Sequence, residues 1–246
     1  MTDAGLQTTK ESNQGGSVAG ALAALAVAVI VTMQIGTLAK PLGDAGDTRV
    51  ADWLDLLSPY LVVGCSAWVL LRIRSLTHGA APDRASWWLF AIGAVAFAQG
   101  SGIHLAANSI DNAQPTGTAA EVTYLWDEHV GHWVWYLGLI LLLAGVARAV
   151  LGAVPSPLPR VHPIGLLLAA LVGLTLFNNW VEGQTPWLGL AAAAAAVVLA
   201  LGASGPGRTY LLVVAGTALI LLVGWGLYWW AVDGHVFPQF SELGWI

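Results

Sequence analysis

Imidazoles and carboxylates crowd two short stretches of the chain. In the first, Ser101, His104, Asn108 and Asp111 follow one another at intervals of three, four and three residues, a spacing that keeps them on one face of a helix. In the second, Asp127, Glu128, His129 and His132 fall within six residues. Glu128 and His132 are one helical turn apart, His129 and His132 share a side, and Gly131 leaves room between the histidines for another helix or a ligand. Three imidazoles with adjacent acids form a donor set for a transition metal. Imidazole suits zinc, copper, iron and nickel, and a carboxylate serves as a fourth ligand or as the acceptor behind one. The spacing points to His104, His129 and His132 as ligands of a divalent metal, zinc first, with copper or iron as alternatives. Asp127 or Glu128 would then take a proton from metal-bound water. Haem held by two axial histidines, such as His104 and His132, is a further alternative. So is a hydrogen-bond network that only joins helices.

Other polar residues fall at matching heights. Thr175, Asn178, Asn179 and Glu182 end one apolar stretch on a common face, and Asp233-Gly234-His235 ends another. Ser101, Asn108, Asp111, Asn178, Asn179, Glu182, Asp233 and His235 are therefore expected to touch substrate or to support the metal ligands. For Glu182 the alternative is a helix cap in water. For Asp233 and His235 a surface position is favoured. Asp44, Asp47 and Asp52 read as solvated outer-loop acids, and His78 and His162 as solvated loop residues on the opposite side. Trp133, Trp135 and Tyr136 lie beside the histidine cluster. They could wall a cavity for an acyl chain, quinone or isoprenoid, with at least two of them expected to pack against lipid.

The elements that must carry these residues are membrane helices. Of 246 residues, 57% are hydrophobic and 9% charged, against about 25% charged in soluble domains. The mean hydropathy is +0.71. This excludes a soluble enzyme, a nucleic-acid binder and a disordered chain. A single cysteine, Cys65, excludes an intramolecular disulfide, a redox pair and a thiolate cluster. Seven continuous apolar stretches are long enough to span a bilayer, at approximately residues 17–39, 55–74, 86–110, 123–150, 163–181, 187–203 and 209–232. The expected fold is thus an all-α, polytopic bundle of seven transmembrane helices over residues 17–232, with a polar tail at 1–16 and another at 233–246. The first stretch reads as a retained helix, because its leader has one Lys and no Arg and signal-peptide cores are shorter.

Charge sets the expected orientation. Lys10, Arg72, Arg74, Arg84, Arg148, Arg160 and Arg208 fall on the side of the N-terminus, and Lys40 and Arg49 on the other. Basic loops stay cytoplasmic, so the N-terminus is expected inside and the C-terminus outside. Eleven of the fourteen acids then lie on the outer side, where they would attract cations. The polar ends of four helices meet there.

The seventh stretch has no lysine, which excludes a retinal Schiff base. The layout loosely resembles the seven-helix membrane metallohydrolases that include alkaline ceramidases and adiponectin-type receptors. Ser101, His104 and Asp111 on one helix are the matching part. That family carries a His-x-x-x-His pair in its last helix, whereas this chain has His129-x-x-His132 in its fourth. The resemblance implies zinc-dependent hydrolysis of a lipid. The residues themselves support a metal-dependent hydrolase or oxidoreductase acting on a lipid-soluble substrate. The alternatives are a metal-ion binding or transport protein and a non-catalytic, haem-binding subunit of a larger membrane complex. The expected partners are membrane lipid, a lipid-soluble small molecule and such a complex, with no nucleic acid.

Overall fold

The computed structural model of the protein describes residues 18–35, 42–46, 48–79, 81–113, 116–158 and 160–245. The expected 1–16 tail, Lys40 and Asp47 lie outside them. Among the described residues there are seven helices: α1 (Val18–Gln34), α2 (Val50–Leu76), α3 (Arg84–Ala113), α4 (Thr118–Gly152), α5 (Pro163–Glu182), α6 (Pro186–Leu201) and α7 (Gly205–Asp233). Five of them, α2, α3, α4, α5 and α7, are long and apolar enough to cross a membrane. A two-stranded hairpin, β1 (Asp44–Ala45) with β2 (Thr48–Arg49), precedes α2.

The boundaries follow local chemistry. Proline opens α5, α6 and α7 within the first two positions, where its missing N–H costs nothing. The His162 ring accepts a hydrogen bond from the Ile164 amide at 3.3 Å and so caps α5; this exposed histidine has a structural task. Helix α2 starts five residues earlier than the apolar run predicts. Asp52 caps it, accepting hydrogen bonds from the Arg49 amide (3.1 Å) and from the Thr48 hydroxyl. That corrects the solvated reading of Asp52, which is buried. An acidic group at a helix start satisfies orphan amides and meets the positive end of the dipole. Asp44 and His78 are exposed, as expected.

The closest helix pair is α3 with α4. Glycines spaced by seven, Gly93 and Gly100 on α3 and Gly131, Gly138 and Gly145 on α4, bring the two backbones into contact. A Cβ on Gly138 would sit 2.7 Å from Phe97 Cα, and one on Gly93 2.8 Å from Leu142 Cα. The numbering runs in opposite directions along the contact, so the helices are antiparallel. Small residues at such an interface let membrane helices gain dispersion contacts where lipid offers no hydrophobic drive. Helix α7 approaches α5 at Gly173 in the same way, beside Val214 and Thr217. The apolar interior centres on Phe97, Leu139, Leu142, Leu222 and Val181.

Candidate metal centre

Alternating helix directions bring the start of α2, the end of α3, the start of α4 and the end of α5 to one end of the bundle. A cavity of about 370 Å³ opens there, lined by Asp55, His104, Asn108, Asp127, Glu128, His132, Trp135, Tyr136, Asn179 and Glu182, among others. In its lining His104, Asp127 and His132 each present a ligand atom, and the three atoms lie within 4.8 Å of one another. These three side chains could hold a metal ion.

Helix α4 builds this group by leaving α-geometry. Residues Leu125–Gly131 form a π-helical segment, and the His132 amide donates to the Asp127 carbonyl, five residues back. In an α-helix, residues five apart point in different directions. The wider π turn stacks Asp127 under His132, and such segments recur at functional sites. The same shift breaks the expected three-residue pairing of the histidines. His129 is exposed and meets the edge of the Tyr124 ring, centroids 5.6 Å apart. It lies outside the cluster, and a carboxylate, Asp127, stands where the α-helical reading put an imidazole.

His104 enters from α3 because Gly131 faces its backbone: a Cβ on Gly131 would be 3.1 Å from His104 N. The His104 Nδ1 then lies 2.5 Å from Asp127 Oδ1 and its Nε2 lies 3.6 Å from Asp55 Oδ2. His132 Nδ1 is 3.1 Å from Glu128 Oε2, and its Nε2 is 3.9 Å from Asp127 Oδ1. Each imidazole therefore has one nitrogen within hydrogen-bond distance of a carboxylate and its other nitrogen facing a second carboxylate at 3.6–3.9 Å. A carboxylate behind a histidine fixes the ring and its tautomer for metal binding. Flat stacking adds to this: Trp135 lies against His104 (4.9 Å, 26°), and Tyr136 against His132 (5.6 Å, 10°).

The remaining expected residues divide. Asn108 lines the cavity and donates to Asp52 Oδ1 (3.3 Å). Asn179 lines it too, with its amide bound to the Thr175 and Met33 carbonyls. Ser101 is buried one turn below His104 and donates to the Asp55 carbonyl (3.2 Å), tying α3 to α2. Glu182 lines the cavity, and its Oε2 accepts from the Phe240 and Ser241 amides (2.8 and 3.3 Å). It thereby pins the C-terminal segment, with Phe240 buried against Phe177 and Trp225, over this end of the bundle. Asn178 donates instead to Gln34 on α1 (2.9 Å), away from the cavity wall. Asp111 is not part of the lining. Asp233 and His235 are exposed in a local turn closed by the His235 amide on Asp233 Oδ1 (2.8 Å). Of the three aromatics, Trp133 points outward, whereas Trp135 and Tyr136 are buried in the cavity wall. That reverses the expectation that at least two pack on lipid.

Asp55 is the residue that the sequence reading missed. It is buried, faces His104 and lines the cavity. The available signal was its position at the outer edge of the second apolar run, level with the other acids. At the opposite end of the bundle, Arg148 pairs with Asp83 (3.0 and 3.1 Å). Arg148, followed by the Ser86 hydroxyl and amide, holds the Asp83 carboxyl well below the usual carboxylate range. No family model, no curated protein and no solved structure matches this chain.

Proposed function

We propose that the chain is a multi-pass membrane protein, with seven spans and its N-terminus cytoplasmic, whose cavity binds one divalent metal on the extracytoplasmic side. His104, Asp127 and His132 hold the ion, zinc in the first instance. The observation that carries this reading is the convergence of two imidazoles and a carboxylate within 4.8 Å in the lining of one cavity. Ionisable groups in a membrane bundle are costly, so their concentration at one point has to be repaid by function. Glu128 keeps the His132 ring oriented through its Nδ1. Asp127 becomes a ligand rather than the base. Asp55, 3.6 Å from His104 Nε2, is the carboxylate placed to take a proton.

The chemistry that follows is hydrolysis. A zinc ion with three protein ligands leaves a position for water and lowers its pKa to about 7. With zinc held there, the ion would supply an acidified water for attack on a lipid-soluble ester or amide, and Asp55 would take the proton of that water and return it to the leaving oxygen or nitrogen. Haem fits the same residues poorly. Iron bound on opposite faces by two histidines separates their rings by the macrocycle, whereas His104 and His132 lie side by side, centroids 4.7 Å apart. An ion-conducting role would need ionisable groups along the bundle. Among the described residues the candidate ligand group sits at one end.

Metal analysis of the full-length protein purified in detergent tests the reading. One zinc per chain is expected in the wild type, with loss in His104→Ala and His132→Ala. A wild-type protein without stoichiometric metal, or a His132→Ala protein that keeps it, overturns the site.

A further inference from the structure

The cavity contains a polar group that metal binding does not use. Tyr136 follows His132 by one turn of α4, and its ring is 3% exposed and lines the cavity. The ring is held flat between His132 (5.6 Å, 10°) and Trp135 (5.3 Å, 12°). Beyond it stands Gly183, where a Cβ would come within 2.9 Å of the Tyr136 hydroxyl oxygen. Ring and hydroxyl are thus fixed in direction. Among the described residues the hydroxyl has no hydrogen-bond partner. Nor is its oxygen among the fully enclosed unpartnered atoms, a group that includes Trp135 Nε1. The phenol therefore opens into the cavity with its O–H unspent.

Its surroundings make that donor scarce. The cavity is rich in acceptors: Asp55, Asp127, Glu128 and Glu182. The side-chain amide donors are committed, Asn108 to Asp52, Asn179 to two carbonyls, Gln184 to Tyr124 and Gln239, and Gln239 to the Glu182 carbonyl, while the Arg49 guanidinium pairs with Asp52. A carbonyl oxygen entering the site needs a donor, and a buried phenol needs an acceptor. We propose that Tyr136 is a catalytic residue that touches substrate: its O–H donates to the carbonyl oxygen of the ester or amide bound beside the ion. The bond strengthens as that oxygen gains negative charge, and no proton leaves the phenol. This assignment rests on the metal reading above.

The test uses the full-length, zinc-loaded protein in detergent and octanohydroxamate, a zinc-binding probe with an acceptor oxygen at the carbonyl position. Tyr136→Phe removes one hydroxyl that makes no hydrogen bond to the described protein. It is expected to keep the zinc stoichiometry and the melting temperature of the wild type while binding the probe about tenfold more weakly. Unchanged probe affinity in a zinc-loaded Tyr136→Phe protein overturns the assignment and leaves the metal site standing. A Tyr136→Phe protein that fails to fold overturns it too, because the hydroxyl would then be structural. A wild type that takes up no zinc removes the metal reading itself, and this proposal with it.

Discussion

Gly131 is the position where packing and chemistry are most directly joined, and Gly131→Ala separates the two. The backbone there, at the end of the π turn, keeps right-handed helical angles (φ −58°, ψ −57°), so alanine is conformationally allowed and gains helix propensity of about 1 kcal/mol. The added Cβ would stand 3.0 Å from Trp126 O, 3.1 Å from His104 N and 3.3 Å from His104 Cα. Ordinary contact begins at 3.4 Å, so α3 must retreat locally by a few tenths of an ångström. Stability is then expected to stay near that of the wild type, with strain and propensity offsetting each other. The site is less tolerant. Metal–ligand distances hold to about 0.2 Å, and the His104 ring moves with its backbone, away from Asp127 and His132. Zinc affinity, measured by competition with a chromogenic chelator, is expected to fall tenfold to a hundredfold, the range typical of disturbed ligand support. Gly138→Ala is the control. Its Cβ would overlap Phe97 Cα at 2.7 Å, backbone against backbone, and should destabilise by about 1–3 kcal/mol through overpacking. A Gly131→Ala protein with wild-type melting temperature and undiminished zinc affinity would refute the claim that the absent side chain positions His104.

Four further outcomes follow from the same geometry. His129→Ala should leave zinc stoichiometry and affinity unchanged, because that ring is exposed against Tyr124; equilibrium dialysis with zinc decides it. Glu128→Ala removes the acceptor on His132 Nδ1 and should weaken zinc binding about tenfold to a hundredfold without abolishing it, as read by calorimetry. Glu182→Ala frees the Phe240 and Ser241 amides, costs about 1–3 kcal/mol and should make the segment around residues 237–245 cleavable in limited proteolysis, where the wild type resists. Asp83 titrates below its ordinary range because Arg148 and Ser86 stabilise the charged form. Its contribution to stability is therefore fully present above the ordinary carboxylate pKa of about 4 and is lost only as pH falls below that. Asp83→Asn should accordingly leave the pH dependence of the melting temperature between about 5 and 8 unaltered, and a changed slope in that window would contradict the assignment.

Composition and apolar run length determined the architecture before any contact was known. Residues in lipid must satisfy their backbone internally, so long uncharged runs become helices. Among the described residues seven helices lie close to the predicted stretches, five of them long and apolar enough to span a membrane. The clustering of Asp127, Glu128 and His132 near His104 was legible for a similar reason, because polar groups at the same height of adjacent antiparallel helices must meet. What tertiary structure decided was which atoms meet. Period counting assumes 3.6 residues per turn, and the π segment at Leu125–Gly131 breaks that assumption, exchanging His129 for Asp127. Asp55 lies in the site because α2, capped by Asp52 ahead of the apolar run, turns Asp52 and Asp55 to its buried side. Gly131, read from sequence as a gap for a helix or a ligand, admits the backbone of α3. One-dimensional spacing carries no record of a helix changing its pitch or of which neighbour fills a gap, since both are settled by the packing of separate segments.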